Sequence, residues 1–277
     1  MFFVQGVVWN NLKIAKMSII QTAERISHKE LSDNFVFQRS LLAYEEAAKI
    51  VSGNVLEIGT GVGYGIEIIA SNTDKFMTVD KYETNSISNE NVEFIKMNVP
   101  PLKGIPDSSF DFVITFQVIE HIKKDKEFVK EIYRVLKNKG KLIVTTPNKK
   151  TSLTRNPWHI REYTISELDS LLQKDFKLVK RLGVFGKEKI LEYYYQNKKS
   201  VEKITRFDLF NLQYILPRQL LKIPYDIANR LNRKKLLKDN TSLVSEISMN
   251  DYYLDKTTDE CFDLFYIAEK VTTPNNV

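Results

Sequence analysis

A glycine-rich turn is the first place in this chain where residue types and spacing could do chemistry. The segment reads Val55-Leu-Glu-Ile-Gly-Thr-Gly-Val-Gly-Tyr-Gly65, an apolar run that ends in glycines. Glycine lets a backbone turn sharply and approach a ligand with no Cβ in between. The spacing then discriminates among ligands. A dinucleotide turn needs G-x-G-x-x-G, but the last position is Tyr64 counted from Gly59 and Ile66 counted from Gly61. A Walker-type phosphate loop needs Gly-Lys-Ser/Thr, which does not follow. The plain alternative is a tight strand-to-helix turn. Further on, Phe76-Met-Thr-Val-Asp80 ends another apolar run in an acid. A carboxylate so placed accepts both hydroxyls of a ribose in Rossmann-like sites; an ordinary turn aspartate is the alternative.

Two later segments carry groups able to act on a polar substrate. One is Gln117-Val-Ile-Glu120-His121, and the other is Asn156-Pro-Trp-His-Ile-Arg-Glu-Tyr163. His159 can shuttle a proton near neutral pH, and Arg161 can hold a carboxylate or phosphate. Trp158 and Tyr163 offer flat apolar walls. The same loop could simply be pinned by its aromatics. His121 could face an acceptor or support the pocket beneath it.

The elements that must position these groups alternate. Apolar β-rich runs fall at Asn54–Ile58, Phe76–Val79, Val92–Lys96, Asp111–Phe116 and Lys141–Thr146. Helical periodicity lies in Ser40–Val51, Val62–Ala70 and Asp125–Leu136, with Gly140 and Lys137-Asn-Lys139 expected to stop the last of these. Thr164-Ile-Ser-Glu167 reads as a capping box, and Lys177–Leu182 and Cys261–Ala268 as two more strands. This pattern predicts a parallel sheet with crossover helices. Residues 187–250 interrupt the last two strands, which need only a short link. They are expected to form a helical insertion, with helices at 207–216 and 218–237 broken by Pro217 and Pro224. The expected division is an N-terminal extension at 1–33, a core of 34–186 plus 251–277, and the insertion at 187–250 as a lid or substrate-binding segment, with the apolar residues of its second helix packed inward.

Glu57-x-Gly59-x-Gly61-x-Gly63 resembles motif I of the class I S-adenosylmethionine-dependent methyltransferases. The resemblance spans about residues 40–181 plus 261–270. It includes Phe94-Ile-Lys-Met-Asn98, Ile105-Pro-Asp-Ser-Ser-Phe-Asp111, and Glu131–Leu136 followed by Gly140-Lys-Leu-Ile-Val. It implies an α/β, Rossmann-like, doubly wound and mostly parallel seven-stranded sheet with an antiparallel last strand. It implies S-adenosylmethionine as cofactor, held by Glu57, Gly59, Thr60, Gly61, Gly63, Asp80, Asn98 and Gln117. Glu57 would meet the cationic amino-acid part, through water or neighbouring groups. Asn98 stands where the family usually has Asp beside the adenine amino group, and its carbonyl can still accept that bond. Methyl transfer needs alignment of an acceptor more than an obligatory base. His159 and His121 are the catalytic candidates, and Trp158, Arg161, Tyr163 and Tyr44 the substrate candidates, Tyr44 as part of a lid. The region also resembles quinol O-methyltransferases, which carry Glu where Gln117 stands and use these acids for a divalent metal. Gln117 removes one carboxylate from such a hard-cation site, so no required metal is expected.

Composition bounds the rest. The chain has 277 residues, 43% hydrophobic and 27% charged, enough for a full α/β core. One cysteine, Cys261, excludes a disulfide framework and fits a reducing, cytoplasmic setting. No apolar run reaches the roughly 20 residues of a membrane span. Residues 1–8 are apolar without signal-peptide flanks, and Met17 is an alternative start. The net charge of +6 is matched by residues 187–250 alone, with 13 Lys/Arg against 7 Asp/Glu. Such a local excess suggests a local anionic partner or a solvated helical face. The expected acceptor is a small molecule, with oxygen as its acceptor atom. The rival enzyme reading is methylation of a lipid or lipid-linked glycan at a membrane, with 220–238 touching anionic lipid; a non-enzymatic cofactor-binding module is the third. A nicotinamide dehydrogenase is disfavoured by the glycine spacing. Nucleic-acid partners are not expected, because no aromatic follows Pro100-Pro101. No protein partner is evident.

Overall fold

The computed structural model describes residues 30–84, 89–206, 208 and 211–271. Eight strands form one sheet: β1 (Asn54–Ile58), β2 (Lys75–Asp80), β3 (Val92–Lys96), β4 (Phe110–Phe116), β5 (Leu136–Pro147), β6 (Phe176–Gly186), β7 (Tyr252–Lys256) and β8 (Asp263–Lys270). The helices are α1 (Asn34–Ala48), α2 (Ile66–Ala70), α3 (Asp125–Val135), α4 (Ile165–Leu172), α5 (Glu188–Thr205), α6 (Leu212–Ile215), α7 (Arg218–Asp239) and α8 (Thr241–Glu246). The strand order is β3-β2-β1-β4-β5-β8-β6-β7. Strands β3, β2, β1, β4 and β5 are mutually parallel, and β8 runs antiparallel to both β5 and β6. The order reverses between β1 and β4, so a crevice opens at the carboxyl ends of those strands, where open α/β sheets bind ligands. This is the Rossmann-like, doubly wound architecture with an antiparallel last strand.

Side chains alternate across the strands and feed two cores. Leu56, Val113, Leu142 and Val144 pack with Phe128 and Ile132 of α3 and Leu168 of α4. Val55, Ile114, Ile143 and Phe265 pack on the other face with Tyr44 of α1 and Ile66 of α2. Ile190, Tyr193, Leu236 and Val244 of the inserted helices belong to that second core.

Several expectations are corrected. Among the described residues the sheet has eight strands, not seven, because Tyr252–Lys256 adds an antiparallel edge beside β6. Gly140 does not stop α3: the helix ends at Val135, and Leu136 is already extended with ψ of 139°. Lys139 takes the positive φ instead, at 63°. Gly140 has no room for a side chain, since an added Cβ would lie 2.9 Å from the Lys137 carbonyl oxygen. Helix α1 begins at Asn34 rather than Ser40 because tertiary contacts hold its start. Asn34 Nδ2 donates to the carbonyls of Val244 and Ile247, at 2.8 Å each, and Phe35 stacks on Tyr193 at 4.4 Å. Pro224 does not break the insertion helix but sits inside α7. Phe207, the expected start of the first insertion helix, lies outside the described residues, as do residues 1–29. The Thr164 capping box is present, with Glu167 N–H donating to Thr164 Oγ1 and Thr164 N–H donating to Glu167 Oε2.

Candidate functional site

The turn after β1 is built from glycine conformations and from what packs around them. Gly61 has φ of +59°, and an added Cβ would meet no atom within 4 Å. Its bare backbone therefore faces open space. Gly65 serves packing instead: a Cβ there would lie 2.0 Å from the Tyr44 ring. At the end of β2, Asp80 accepts from Gly61 N–H through Oδ2 and from Tyr82 N–H through Oδ1, both at 2.9 Å. Each oxygen keeps a further lone pair.

Glu57 lies behind this turn, 1% exposed. Tyr44 Oη donates to its Oε1 at 2.6 Å, and Thr78 Oγ1 donates to its Oε2. Thr60 and Thr78 hydroxyls pair at 2.5 Å. Burial pushes the Glu57 carboxyl up to about 7, while the two donors oppose that rise. Burial, with the Glu57 charge beside it, also holds the Tyr44 phenol well above its ordinary value.

A cavity of about 700 Å³ runs from this turn across the ends of β4 and β5, a size suited to a nucleoside and a small second molecule. Of the residues proposed from the sequence to hold the cofactor, Gly59, Thr60, Gly61, Asp80, Asn98 and Gln117 line it. Glu57 and Gly63 are not on its wall. Gln117 adopts φ of +56°, its N–H donates to the Thr145 carbonyl at 3.0 Å, and its Nε2 lies 3.3 Å from Thr145 Oγ1.

The acceptor-side candidates divide. His121 and Trp158 line the cavity. The His121 Nδ1 lies 3.1 Å from the Trp158 carbonyl oxygen, and its ring meets His159 edge-on at 4.9 Å. His159 is off the cavity wall: its Nδ1 lies 2.7 Å from Glu162 Oε1, and Asn156 Nδ2 lies 3.0 Å from its Nε2. Arg161 and Tyr163 are also off the wall. Arg161 Nη1 donates to Asp125 Oδ2 at 2.5 Å, and Tyr163 Oη donates to the same oxygen at 3.0 Å. These donor groups pin the loop to α3. Tyr44 lines the cavity, but its hydroxyl is spent on Glu57 and its ring on Gly65, so it is a fixed wall and not a lid. The sequence reading missed Arg39, Thr145 and Asp263, which line the inner end of the cavity. None sits in a motif; only the fold brings α1, β5 and β8 together.

Among the described residues, Glu120, His121 and His159 each offer one ligand atom within 4.8 Å of the others, a set that could hold a metal. It is a nitrogen-rich set, unlike the acid pair expected of the quinol enzymes. Thr146 Oγ1 already donates to Glu120 Oε2 at 3.0 Å. Among the described residues no helix is long and apolar enough to cross a membrane.

Comparisons with known proteins converge. The methyltransferase-domain family matches residues 56–144. A probable S-adenosylmethionine-dependent methyltransferase of Mycolicibacterium smegmatis is 34% identical over 176 residues, covering 59% of this chain and 68% of that protein. A probable S-adenosylmethionine-dependent methyltransferase of Mycobacterium tuberculosis is 37% identical over 151 residues, covering 50% of this chain and 54% of its own length. The mitochondrial ubiquinone biosynthesis O-methyltransferase of Dictyostelium discoideum is 25% identical over 114 residues, covering 35% of this chain and 36% of that protein. A solved putative methyltransferase of Bacillus halodurans aligns with a TM-score of 0.47 and 16% identity over 83% of this chain and 99% of its own. The residues present fit the cofactor these names imply: bare backbone at Gly61 beside the Asp80 carboxylate, with Asn98 on the same cavity wall. The chain belongs to the S-adenosylmethionine-dependent methyltransferases, and S-adenosylmethionine is its cofactor.

Proposed function

We propose that this enzyme methylates an oxygen of a small molecule bound at the inner end of the 700 Å³ cavity. The observation that carries the reading is Gly61, whose open backbone and Asp80 neighbour give a nucleoside one end of a cavity that continues past Gln117 to a polar inner end. In this reading Asp80 accepts the ribose hydroxyls with the lone pairs its backbone donors leave. Asn98 accepts from the adenine amino group, and the backbone from Gly59 to Gly63, with Thr60, wraps the ligand. Glu57 acts from behind the wall: its charge, relayed by Tyr44 and Thr78, attracts the cationic amino-acid end. Gln117 borders the methyl group. When bound, the cofactor supplies an activated methyl on a sulfonium, and the protein aligns the acceptor and excludes water. Oxygen acceptance is also the activity named for the ubiquinone enzymes to which the chain is similar. No metal is required in this reading. The test is to incubate the protein with methyl-labelled cofactor and cell extract, then identify the labelled product by mass spectrometry. An O-methylated small molecule is expected; label on protein, nucleic acid or nitrogen overturns the reading.

In the same proposal residues 34–186 plus 251–277 are the methyltransferase core, and 187–250 shape the acceptor end. One observation favours a second reading, in which the acceptor sits at an anionic membrane surface. Leu220, Ile223, Ile227 and Leu231 recur every three or four residues along α7, and they are 65%, 72%, 56% and 63% exposed. A lid helix would turn these inward. Lys234 and Lys238 continue the same stripe and are exposed. The opposite side of α7 reaches the cavity wall, where Asp226 accepts from Trp158 Nε1 at 2.9 Å and Lys222 lies 3.9 Å from the Trp158 ring centroid.

A further inference from the structure

Asp263 opens β8 opposite Pro147, at the carboxyl end of β5. Its side chain is 3% exposed, yet it forms part of the cavity wall with Arg39, Gln117 and Thr145. Its Oδ2 is 3.0 Å from Arg39 Nε. Its Oδ1 is buried and makes no hydrogen bond within 3.5 Å, although the Gln117 side-chain amide is near enough to favour the charged carboxylate. Arg39 is itself held, with its guanidinium 5.9 Å from the ring centroids of Phe35 and Phe262. A buried carboxylate oxygen with no donor is costly, and a ligand hydroxyl that donates to it recovers the loss. In the strand order β8 also lies past β4, which leads into Gln117, from β2 and β1 with Asp80 and Gly61, on the side where the proposed function puts the acceptor.

We propose that Asp263 is the base of this methyltransferase, its Oδ1 receiving the hydroxyl proton of the acceptor while Arg39 holds the carboxylate through Oδ2. The acceptor's O–H bond and the methyl carbon–sulfur bond break, and an oxygen–carbon bond forms. Sulfur keeps the electron pair and loses its positive charge. The proton ends on Oδ1 and leaves to water with the product. Arg39 is the positioning residue, since it fixes which oxygen faces the acceptor. The inference rests on the oxygen-methylation reading and deepens it. Burial raises the proton affinity of Asp263, opposed by the Arg39 charge and the Gln117 side chain, and a more basic carboxylate is the better proton acceptor. The other titratable groups that face it do not change charge near neutrality: burial pushes the Tyr252 phenol well above its ordinary value and the Cys261 thiol up to about 11.

The test has an arm that needs no acceptor. Sinefungin carries an ammonium where the reactive methyl would be, and S-adenosylhomocysteine carries nothing there. By calorimetry, Asp263→Asn should weaken sinefungin about fivefold while leaving S-adenosylhomocysteine unchanged, as expected for a carboxylate close to that charge. Equal effects on both ligands, or on neither, overturn the proposal. In the second arm, label transfer into extract small molecules should fall about 10²–10⁴-fold in Asp263→Asn. Transfer at the wild-type rate overturns the proposal, whereas absence of O-methyl transfer by the wild type would instead overturn the proposed function. Should Asp263→Asn fail to fold, Arg39→Gln reads the same point. Loss of the nearby positive charge should move the acid limb of the kcat profile to higher pH, and an unmoved limb counts against Asp263 as the base.

Discussion

At Glu57, burial and hydrogen bonding pull in opposite directions, and burial wins, leaving the carboxyl at about 7 against an ordinary 4.5. The folded ligand-free protein therefore holds this proton more tightly than the unfolded chain does. Its stabilising contribution is fully present below pH 4.5 and is lost as pH rises through about 7. Urea unfolding of the ligand-free protein should show a loss on the order of 3 kcal/mol from this group between pH 4.5 and pH 8. Glu57→Gln should flatten that slope, and an unchanged slope would show that the charge is not buried in solution. Asp80→Ala, in contrast, removes an acceptor at the ribose end. It should weaken S-adenosylhomocysteine by about 1.5–3 kcal/mol in calorimetry; wild-type affinity in a folded variant would reduce Asp80 to a brace for Gly61. Residues whose position depends on local backbone were legible in the sequence. Gly59, Gly61, Asp80, Asn98 and Gln117 reach one cavity because strand ends and the turns that follow them set their positions. His159, Arg161 and Tyr163 showed their donor chemistry but not their partners. Glu162 and Asp125 take those donors away from the cavity, and Asn156 Nδ2 donates to the other His159 nitrogen.

Among the elements, the strands and crossover helices follow directly from hydrophobic period, whereas the inserted helices do not. Residues of α5 carry Tyr and Lys at nearly every position from Tyr193 to Lys199, so no clean apolar stripe announces the helix. Proline at 224 argues for a break, but contacts on both sides of it hold α7 in one piece, with Lys222 over the Trp158 ring before it and Asp226 on Trp158 and Arg230 and Arg233 on Asp33 after it. The same helix has the largest exposed apolar stripe in α5–α8. If that stripe meets anionic lipid, Ile223→Asp with Ile227→Asp should abolish sedimentation with phosphatidylglycerol vesicles. Lys234, Lys235 and Lys238 changed together to Glu should weaken it chiefly at low salt, since such attraction is screened within about 10 Å at 0.1 M salt. Arg233 is left alone in this design because its guanidinium pairs with buried Asp33 at 2.8 Å. Wild-type protein that stays in the supernatant at low salt would remove the membrane reading; a concentration-dependent dimer lost in the aspartate variant would assign the stripe to a second copy.

At the scale of the molecule, the insertion is covalently an interruption but physically part of the core. Leu236 is 5% exposed and Val244 1%, and both pack with Phe35, Tyr252 and Phe262 beneath β6 and β8. Arg230 and Arg233 meet Asp33, whose side chain is fully buried, at 2.9 and 2.8 Å. Sequence could place the segment between two strands but could not show that the core is incomplete without it, because every one of these contacts joins positions far apart in the chain. Joining Lys187 to Asp251 by a short turn would strip one face of α1 and leave the Asp33 charge buried with neither arginine. Breaking a buried ion pair from one side costs about 3–5 kcal/mol, and each large apolar truncation adds about 2–5 kcal/mol. Together these match the whole stability of a typical domain, about 5–15 kcal/mol. The deletion variant should therefore lack a cooperative thermal transition, and Leu236→Ala alone should cost about 2–5 kcal/mol in urea unfolding. Added S-adenosylhomocysteine should recover part of the Leu236→Ala loss, because ligand binding to the folded state stabilises it by mass action. A deletion variant that melts cooperatively and still binds the ligand would instead make 187–250 a separable cap, and the second core would then need to close without it.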